Sequence, residues 1–521
     1  MEKLQKKDIK KIQNTKWIFA SRNLYDNFHI DSLFLRASTN GMRKYCGIEC
    51  NSVLAFYKGF ESEFYYPDKE TKRACKFLIE RLKNDNSFGD FLYKSIMNLS
   101  KDLFKVFNKY SLNVNFGNLK SENIVDLYRS QFNIHTELYN VAWATETLQA
   151  KRYGLYDYLY NYLFLKTNSA EESKQVLNDL HEFDEITSFK LEDYELIKLA
   201  KSLLKKKEFK LDFTKTSTKS FASLLPEEIH NKMRKIYLRY SYLQYHGLKG
   251  LGLPKIDYLY RKLFNLLKNK GLLSNTDTLI PSREAILKKK KRLFRKYGIN
   301  KQYQNLFLSN TKFGISKSFR RLAQLKNFYY TDKLLEEIAI RLNIKINELL
   351  FISPDQVIDL IKKKKSYLKN LKNKSKYFLY LYKDKKEFVE SGEKAKDIRK
   401  SFTKGIKPVE EKVKRLYGQP AYYGQCTGKA FVIDSLDESF MKDFKKGDIL
   451  VAIDLDPDFM PYIIKSGAVI VSQGGITAHS AIIAREFKIP CIVAVKDITK
   501  LIKTGNILNV NSTKGEIEIL R

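Results

Sequence analysis

Residues 472–490 read Ser-Gln-Gly-Gly-Ile-Thr-Ala-His-Ser-Ala-Ile-Ile-Ala-Arg-Glu-Phe-Lys-Ile-Pro. A glycine pair, Gly474-Gly475, precedes a single histidine, His479. A neutral imidazole keeps a lone pair that can attack phosphorus. At a helix start, backbone N–H groups and the positive end of the dipole gather around it. The dipole disfavours imidazolium and so preserves the nucleophile. It also stabilises the negative charge of a phosphoryl-imidazole. Gly474 and Gly475 allow another molecule to come close to the backbone. Thr477 and Ser480 are placed to cap the helix or to hydrogen-bond phosphoryl oxygens. Taken alone, a histidine after two glycines is a weak signal, because a cap or a satisfied polar residue is the commoner use.

The elements that must hold this histidine can be read around it. Ala468–Val471 is a short apolar run, expected as a strand, and an amphipathic helix over His479–Phe487 stops before Pro490. Strands are predicted at Lys429–Ile433, Asp448–Ile453, Cys491–Val495, Asn506–Val510 and Glu516–Leu520, with a helix over Asp458–Lys465 closed by Gly467. Together they make a small α/β domain of about one hundred residues.

The stretch Gly474 to Pro490 closely resembles the signature of the PEP-utilising enzyme mobile domain. This is the swivelling phosphohistidine domain of phosphoenolpyruvate synthase, pyruvate phosphate dikinase and rifampin phosphotransferase. Asp456-Pro457-Asp458-Phe459-Met460-Pro461 resembles that family's Asp-Pro-Asp-Trp-x-Pro segment, with Phe459 in place of Trp. Gly424 and Gly428-Lys429-Ala430 resemble its opening strand. The resemblance covers about 105 residues in the family's order and spacing. It implies that His479 accepts the phosphoryl group, from ATP or PEP, with Mg2+ implied by the resemblance alone and no cofactor held tightly. Arg485 and Glu486 match the family's Ala-Arg-Glu, and a salt bridge or helix packing is the role expected for both. Asp456 is a supporting residue by the same match. Residues 331–400 resemble, in pattern only, the helical segment that precedes this domain. No stretch resembles the ATP-grasp nucleotide-binding domain or the PEP/pyruvate barrel. Either a separate ATP-grasp protein is the partner that supplies the nucleotide site, or residues 1–330 hold a divergent one, and the phosphoryl acceptor is unknown.

Charge and glycine divide the chain at one place. Residues 415–521 carry 13 Lys+Arg and 12 Asp+Glu, whereas the preceding 414 carry 82 and 47. Nine of the 23 glycines lie in 415–521. The first part is rich in Leu, Lys, Phe and Tyr at three- and four-residue spacing, as in Leu155, Tyr158, Leu159, Tyr162 and Leu163, which predicts helices packed through those stripes. Trp17–Arg22 reads as a short strand or helix start, 331–365 as two or three short helices, and 376–390 as a hairpin turning at Asp384. The expected organisation is multidomain. A mainly α-helical N-terminal region (1–330) is followed by a helical segment with a β-hairpin (331–400), a linker (401–420) rich in breakers and the C-terminal α/β phosphohistidine domain (421–521).

The lysine runs Lys205–Lys207, Lys288–Lys291 and Lys362–Lys365 read as solvated helix faces. The basic excess would admit a nucleic-acid partner, but a lysine-rich proteome gives the same composition and no recognised reader module accompanies it. The five scattered cysteines and the isolated histidines lack metal-ligand spacing, so no metal site is expected. No apolar run reaches the roughly 20 residues needed to span a bilayer, and the charged opening Met-Glu-Lys-Leu-Gln-Lys-Lys-Asp lacks a signal-peptide core. Cytoplasmic localisation is expected. Two functions follow. The first is a phosphotransferase or phosphocarrier that uses His479. The second is a non-catalytic binding protein whose basic helical region binds RNA or an acidic partner.

Overall fold

The computed structural model describes residues 2–23, 27–50, 52–150, 153–206, 218–245, 253–268, 282–363, 376–383, 385–403, 414–433, 443–453, 455, 459–472, 479–495 and 498–520. The chain opens with β1 (Glu2–Lys3), α1 (Lys6–Asn14), β2 (Trp17–Asn23), α2 (Phe28–Gly41), β3 (Ser52–Lys58) and β4 (Glu61–Pro67). A run of helices follows: α3 (Asp68–Asn84), α4 (Asn86–Lys105), α5 (Ser121–Thr147), α6 (Leu155–Thr167), α7 (Ala170–Leu180), α8 (Ser188–Lys205), α9 (Thr218–Phe221), α10 (Glu227–Tyr240), α11 (Asp257–Lys268) and α12 (Arg283–Lys296). Then come α13 (Lys301–Leu342), α14 (Ile346–Leu349), α15 (Pro354–Lys363), β5 (Tyr377–Lys383), β6 (Lys386–Ser391) and α16 (Glu393–Thr403).

The spine of the helical body is α13, 42 residues long, or roughly 63 Å at 1.5 Å per residue. Asn300 caps its start by accepting from the Tyr303 N–H at 3.1 Å, and Asn343 ends it in the left-handed conformation at φ 53°. Helices α3, α4, α5, α6 and α8 pack along it. The short helices expected from residue 331 onward are in fact its last three turns followed by α14 and α15. Nothing interrupts 301–342, because buried Leu334, Leu335 and Ile338 continue the stripe begun at Leu306 and Phe307.

The N-terminal region also carries a six-stranded sheet, ordered β1-β6-β5-β3-β4-β2, which the sequence reading did not anticipate. The hairpin expected at 376–390 is present as β5 and β6, and Asp384 lies outside the described residues. β5 pairs antiparallel with β3, Leu54 facing Leu381, so the sheet joins segments more than three hundred residues apart. Both faces are covered. Val53, Ala55, Tyr57, Phe378 and Tyr380 pack under α2, and Leu54, Phe56, Leu379 and Leu381 pack with Leu4, Ile12 and Ile398. Alternation along each strand sends successive side chains into two different cores. Trp17–Arg22, left open between strand and helix, is β2.

The C-terminal sheet has eight strands, ordered β7-β14-β13-β9-β10-β11-β12-β8. They are β7 (Arg415–Tyr417), β8 (Gln419–Tyr422), β9 (Gln425–Ile433), β10 (Ile449–Ala452), β11 (Ala468–Val471), β12 (Cys491–Val493), β13 (Ile507–Asn511) and β14 (Glu516–Ile519). Between them lie α17 (Met460–Ile463), α18 (His479–Glu486) and α19 (Ile498–Leu501). Strands β9 to β12 run parallel. Every residue of β10 and β11 is buried, as expected when a parallel sheet is covered on both faces.

The linker reading of 401–420 is corrected in part. Residues 404–413 lie outside the described residues, but 415–417 and 419–422 are sheet strands. Gly418 looked like a breaker. A Cβ there would meet the Ile492 and Val495 side chains at 2.5 Å, so the glycine lets the β7–β8 corner press against the strand end. No helix among the described residues is long and apolar enough to cross a membrane.

Candidate active site

Strand β11 delivers the chain to the site. Its four residues pair with β10 on one side, and Val469 and Ile470 pair with β12 on the other. Ser472 then continues the ladder, its N–H donating to the Ala452 carbonyl at 3.1 Å. Residues 473–478, with Gly474, Gly475 and Thr477, lie outside the described residues, as does Asp456. The chain is next seen as the first residue of α18, His479. α18 is described from the histidine onward. Its first N–H groups have no partner within the helix.

α18 spans eight residues, about 12 Å. Ser480, Ala481, Ile483 and Ala484 are fully buried against the sheet. The Ser480 hydroxyl lies inside this packing with no hydrogen-bond partner among the described residues. The roles read for it from sequence are a cap or a hydrogen bond to phosphoryl oxygens. The helix ends sharply. Lys488 adopts φ 56°, the Ile489 N–H reaches back to the Ala484 carbonyl at 2.8 Å, and Pro490 prevents continuation.

The two residues at the C-terminal end of α18 tie the domain to the helical body. The Lys190 ammonium, near the start of α8, lies 2.9 Å from the Glu486 carboxylate, and both side chains are largely buried. Arg485 is buried as well. It donates to the Ala421 carbonyl of β8 at 3.3 Å, and its guanidinium sits 5.6 Å from the centre of the Phe183 ring. Burial pulls the arginine below its ordinary pKa, while Glu486 pushes the other way. Phe183 in turn presses on Gly314 of α13, where a Cβ would come within 2.5 Å of the ring. Salt bridging or helix packing is the role read for Arg485 and Glu486 from the sequence. Phe183, Lys190 and Gly314 were missed, since single residues in helices carry no local signal of what they meet.

Lys290 lies in the same neighbourhood and departs from the solvated-face reading of its run. It is 1% exposed, and its ammonium donates to the Thr311 hydroxyl at 3.1 Å. Burial pulls it down to about 8, with Asp184 and Glu182 opposing that shift and Lys289 and Arg485 adding to it. One run of four lysines thus wraps a helix whose other side is core.

The chemistry this arrangement offers begins at the helix start, with backbone donors for an anion beside an imidazole-bearing residue. Among the described residues no group of three or more His, Cys, Asp or Glu side chains is placed to hold a metal ion. Mg2+, implied by the resemblance, has no such seat there.

Residues 444–515 match the family model described as PEP-utilising enzyme, mobile domain. The phosphoenolpyruvate synthase of Aeropyrum pernix is 39% identical over 100 residues, which is 19% of this chain and 12% of the synthase. That of Pyrococcus furiosus is 40% identical over 107 residues, 20% of this chain and 13% of the synthase. The rifampicin phosphotransferase of Bacillus subtilis is 36% identical over 104 residues, 20% of this chain and 12% of that protein. The chain thus matches only 12% to 13% of the length of these curated relatives. The matched residues 444–515 include the strands β10, β11 and β12 and the helix begun by His479, and over them the chain is similar to the mobile domain of the PEP-utilising enzymes.

Proposed function

We propose that this chain is a phosphotransferase component of the PEP synthase and rifampicin phosphotransferase type, carrying a phosphoryl group on His479. The imidazole nitrogen forms the new bond to phosphorus as the donor's P–O bond breaks, and the electron pair of that bond leaves with the donor oxygen. A second, reverse-sense displacement hands the phosphoryl group to the acceptor and restores the imidazole. The donor is ATP or PEP. The observation that supports this reading is the family match over 444–515, within which a buried parallel strand ends at Val471 and a helix is described from His479. Gly474, Gly475 and Thr477 are proposed to surround the phosphoryl group through backbone and hydroxyl donors, with Ser480 and Asp456 in support.

A histidine cannot by itself align a donor for in-line transfer. A separate ATP-grasp polypeptide is proposed to supply that site, with any Mg2+ arriving on the nucleotide. The helical body is proposed to dock this partner or the acceptor, in the cytoplasm. The test is to incubate the purified chain with ATP or PEP labelled at the transferable phosphorus, with and without cell extract. Acid-labile label should appear on the wild type and be absent from His479→Ala. Equal label on both proteins overturns the reading.

A further inference from the structure

Helix α12 has one face in the core and one in solvent. Ile286, Lys290, Leu293 and Phe294 are buried, while Lys288, Lys291, Arg292 and Arg295 are exposed. Their spacing places these four on one face over about 10 Å of helix. The neighbouring cations on the same helix are neutralised. Lys289 binds Asp179 and Glu182, Lys296 meets Glu172, and Arg283 lies near Asp184 and Glu185. None of the four exposed cations forms an ion pair among the described residues. Solvated lysines spread over a surface would be expected to alternate with acids. Here four uncompensated charges line up.

Beyond this stripe the chain turns over 297–300 into α13, where an aromatic platform begins. The Tyr303 ring stacks on Tyr162 of α6, with centroids 3.5 Å apart and planes 12° off parallel. Tyr158 extends the stack at 5.7 Å and 6°. The three rings are only half-buried, although the leucines between them, Leu155, Leu159 and Leu163, fill the core. Lys83, itself paired with Glu80 at 3.1 Å, lies over the Tyr158 and Tyr303 rings within 5.9 Å of both centres, and Lys166 lies over the Tyr162 ring at 5.7 Å. The tyrosine stripe, expected as packing, therefore keeps part of its ring surface at solvent.

We propose that the α12 face and the adjoining tyrosine stack form a binding surface for single-stranded nucleic acid. Lys288, Lys291, Arg292 and Arg295 neutralise phosphates, and the exposed ring surface of the stack, centred on Tyr303, receives bases. Charge complementarity alone would also suit an acidic protein. The stacked, half-buried aromatic rings favour nucleic acid, because every base offers a π-face and stacking is indifferent to sequence. The proposal is independent of phosphotransfer at His479.

The test uses the full chain and a fluorescent oligouridine RNA, with affinity followed by anisotropy as salt is raised. Four phosphate contacts on a single strand predict a log–log salt slope of about −3. Lys288→Glu, Lys291→Glu, Arg292→Glu and Arg295→Glu combined should weaken binding at least about tenfold and flatten that slope. Tyr303→Ala should weaken it about tenfold, whereas Tyr303→Phe should bind as wild type. The proposal is overturned by undetectable wild-type binding at about 50 mM salt, or by equal affinity in the charge-reversed protein. It is also overturned if polyglutamate binds as tightly as RNA and Tyr303→Ala changes nothing, which would identify an acidic protein as the partner.

Discussion

The two ends of α18, a helix of eight residues, differ in almost every physical respect. The His479 end starts from a parallel strand and offers backbone donors without partners in the helix. The Arg485–Glu486 end is packed, paired and closed by Pro490, and its partners come from the helical body near residues 183 and 190. Chemistry needs an approachable end, and positioning needs a fixed one. A short helix can meet both demands because its termini are only about 12 Å apart. A substitution at one end should therefore fail in transfer, and one at the other end in docking.

The largest expected effect belongs to the first end. His479→Gln should bring phosphoryl transfer to background, measured by acid-labile label, without shifting the denaturation midpoint by more than about 0.5 kcal/mol. At the other end, Lys190→Met leaves the Glu486 carboxylate buried without its cation and should cost about 3 kcal/mol in urea unfolding. The double variant Lys190→Met with Glu486→Met should recover part of that loss, which a double-mutant cycle reads directly. Gly314→Ala pushes the Phe183 ring off the face of Arg485 and should cost about 1–3 kcal/mol. Its midpoint should fall while the isolated chemistry of labelling survives. A loss of labelling equal to that of His479→Gln would erase the distinction between the two ends.

The smallest expected effect concerns Lys290 and has a defined sign. Its folded pKa, about 8, lies below the ordinary lysine value of 10.5. Between those two values the unfolded chain binds more protons, so stability should rise with pH there, and below about 8 the full cost is present. Asp184 and Glu182 oppose the effect, and Lys289 and Arg485 strengthen it. Lys290→Met should remove the rise, a difference of about 1 kcal/mol between pH 8 and 9.5 in paired unfolding curves.

Much of the C-terminal domain was legible because its information is local. Ala468–Val471 is a strand exactly as long as its apolar run, and the helix read from His479 to Phe487 differs from α18 by one residue. What the sequence did not reveal is the long-range pairing. Val53 and Tyr382 carry no mark that they lie side by side in one sheet, so the N-terminal region read as helices followed by an isolated hairpin. Gly418 misled for a related reason. A glycine required by Ile492 and Val495 pressing on it looks the same in sequence as one that ends a domain. Lys290 shows the limit for charge, since a run of four lysines gave no sign that one of them is core. The site itself was recognised as a motif, whereas its seat on Phe183 and Lys190 became visible only when the helices were in place.

The central claim is that His479 carries the phosphoryl group while the far end of its helix holds the domain in place. Peptide mapping of the labelled wild-type chain at neutral to alkaline pH tests it most directly. The account predicts acid-labile phosphate on the peptide that contains His479, retained in Gly314→Ala and absent in His479→Gln. Phosphate on another residue, or label undiminished in His479→Gln, would contradict it.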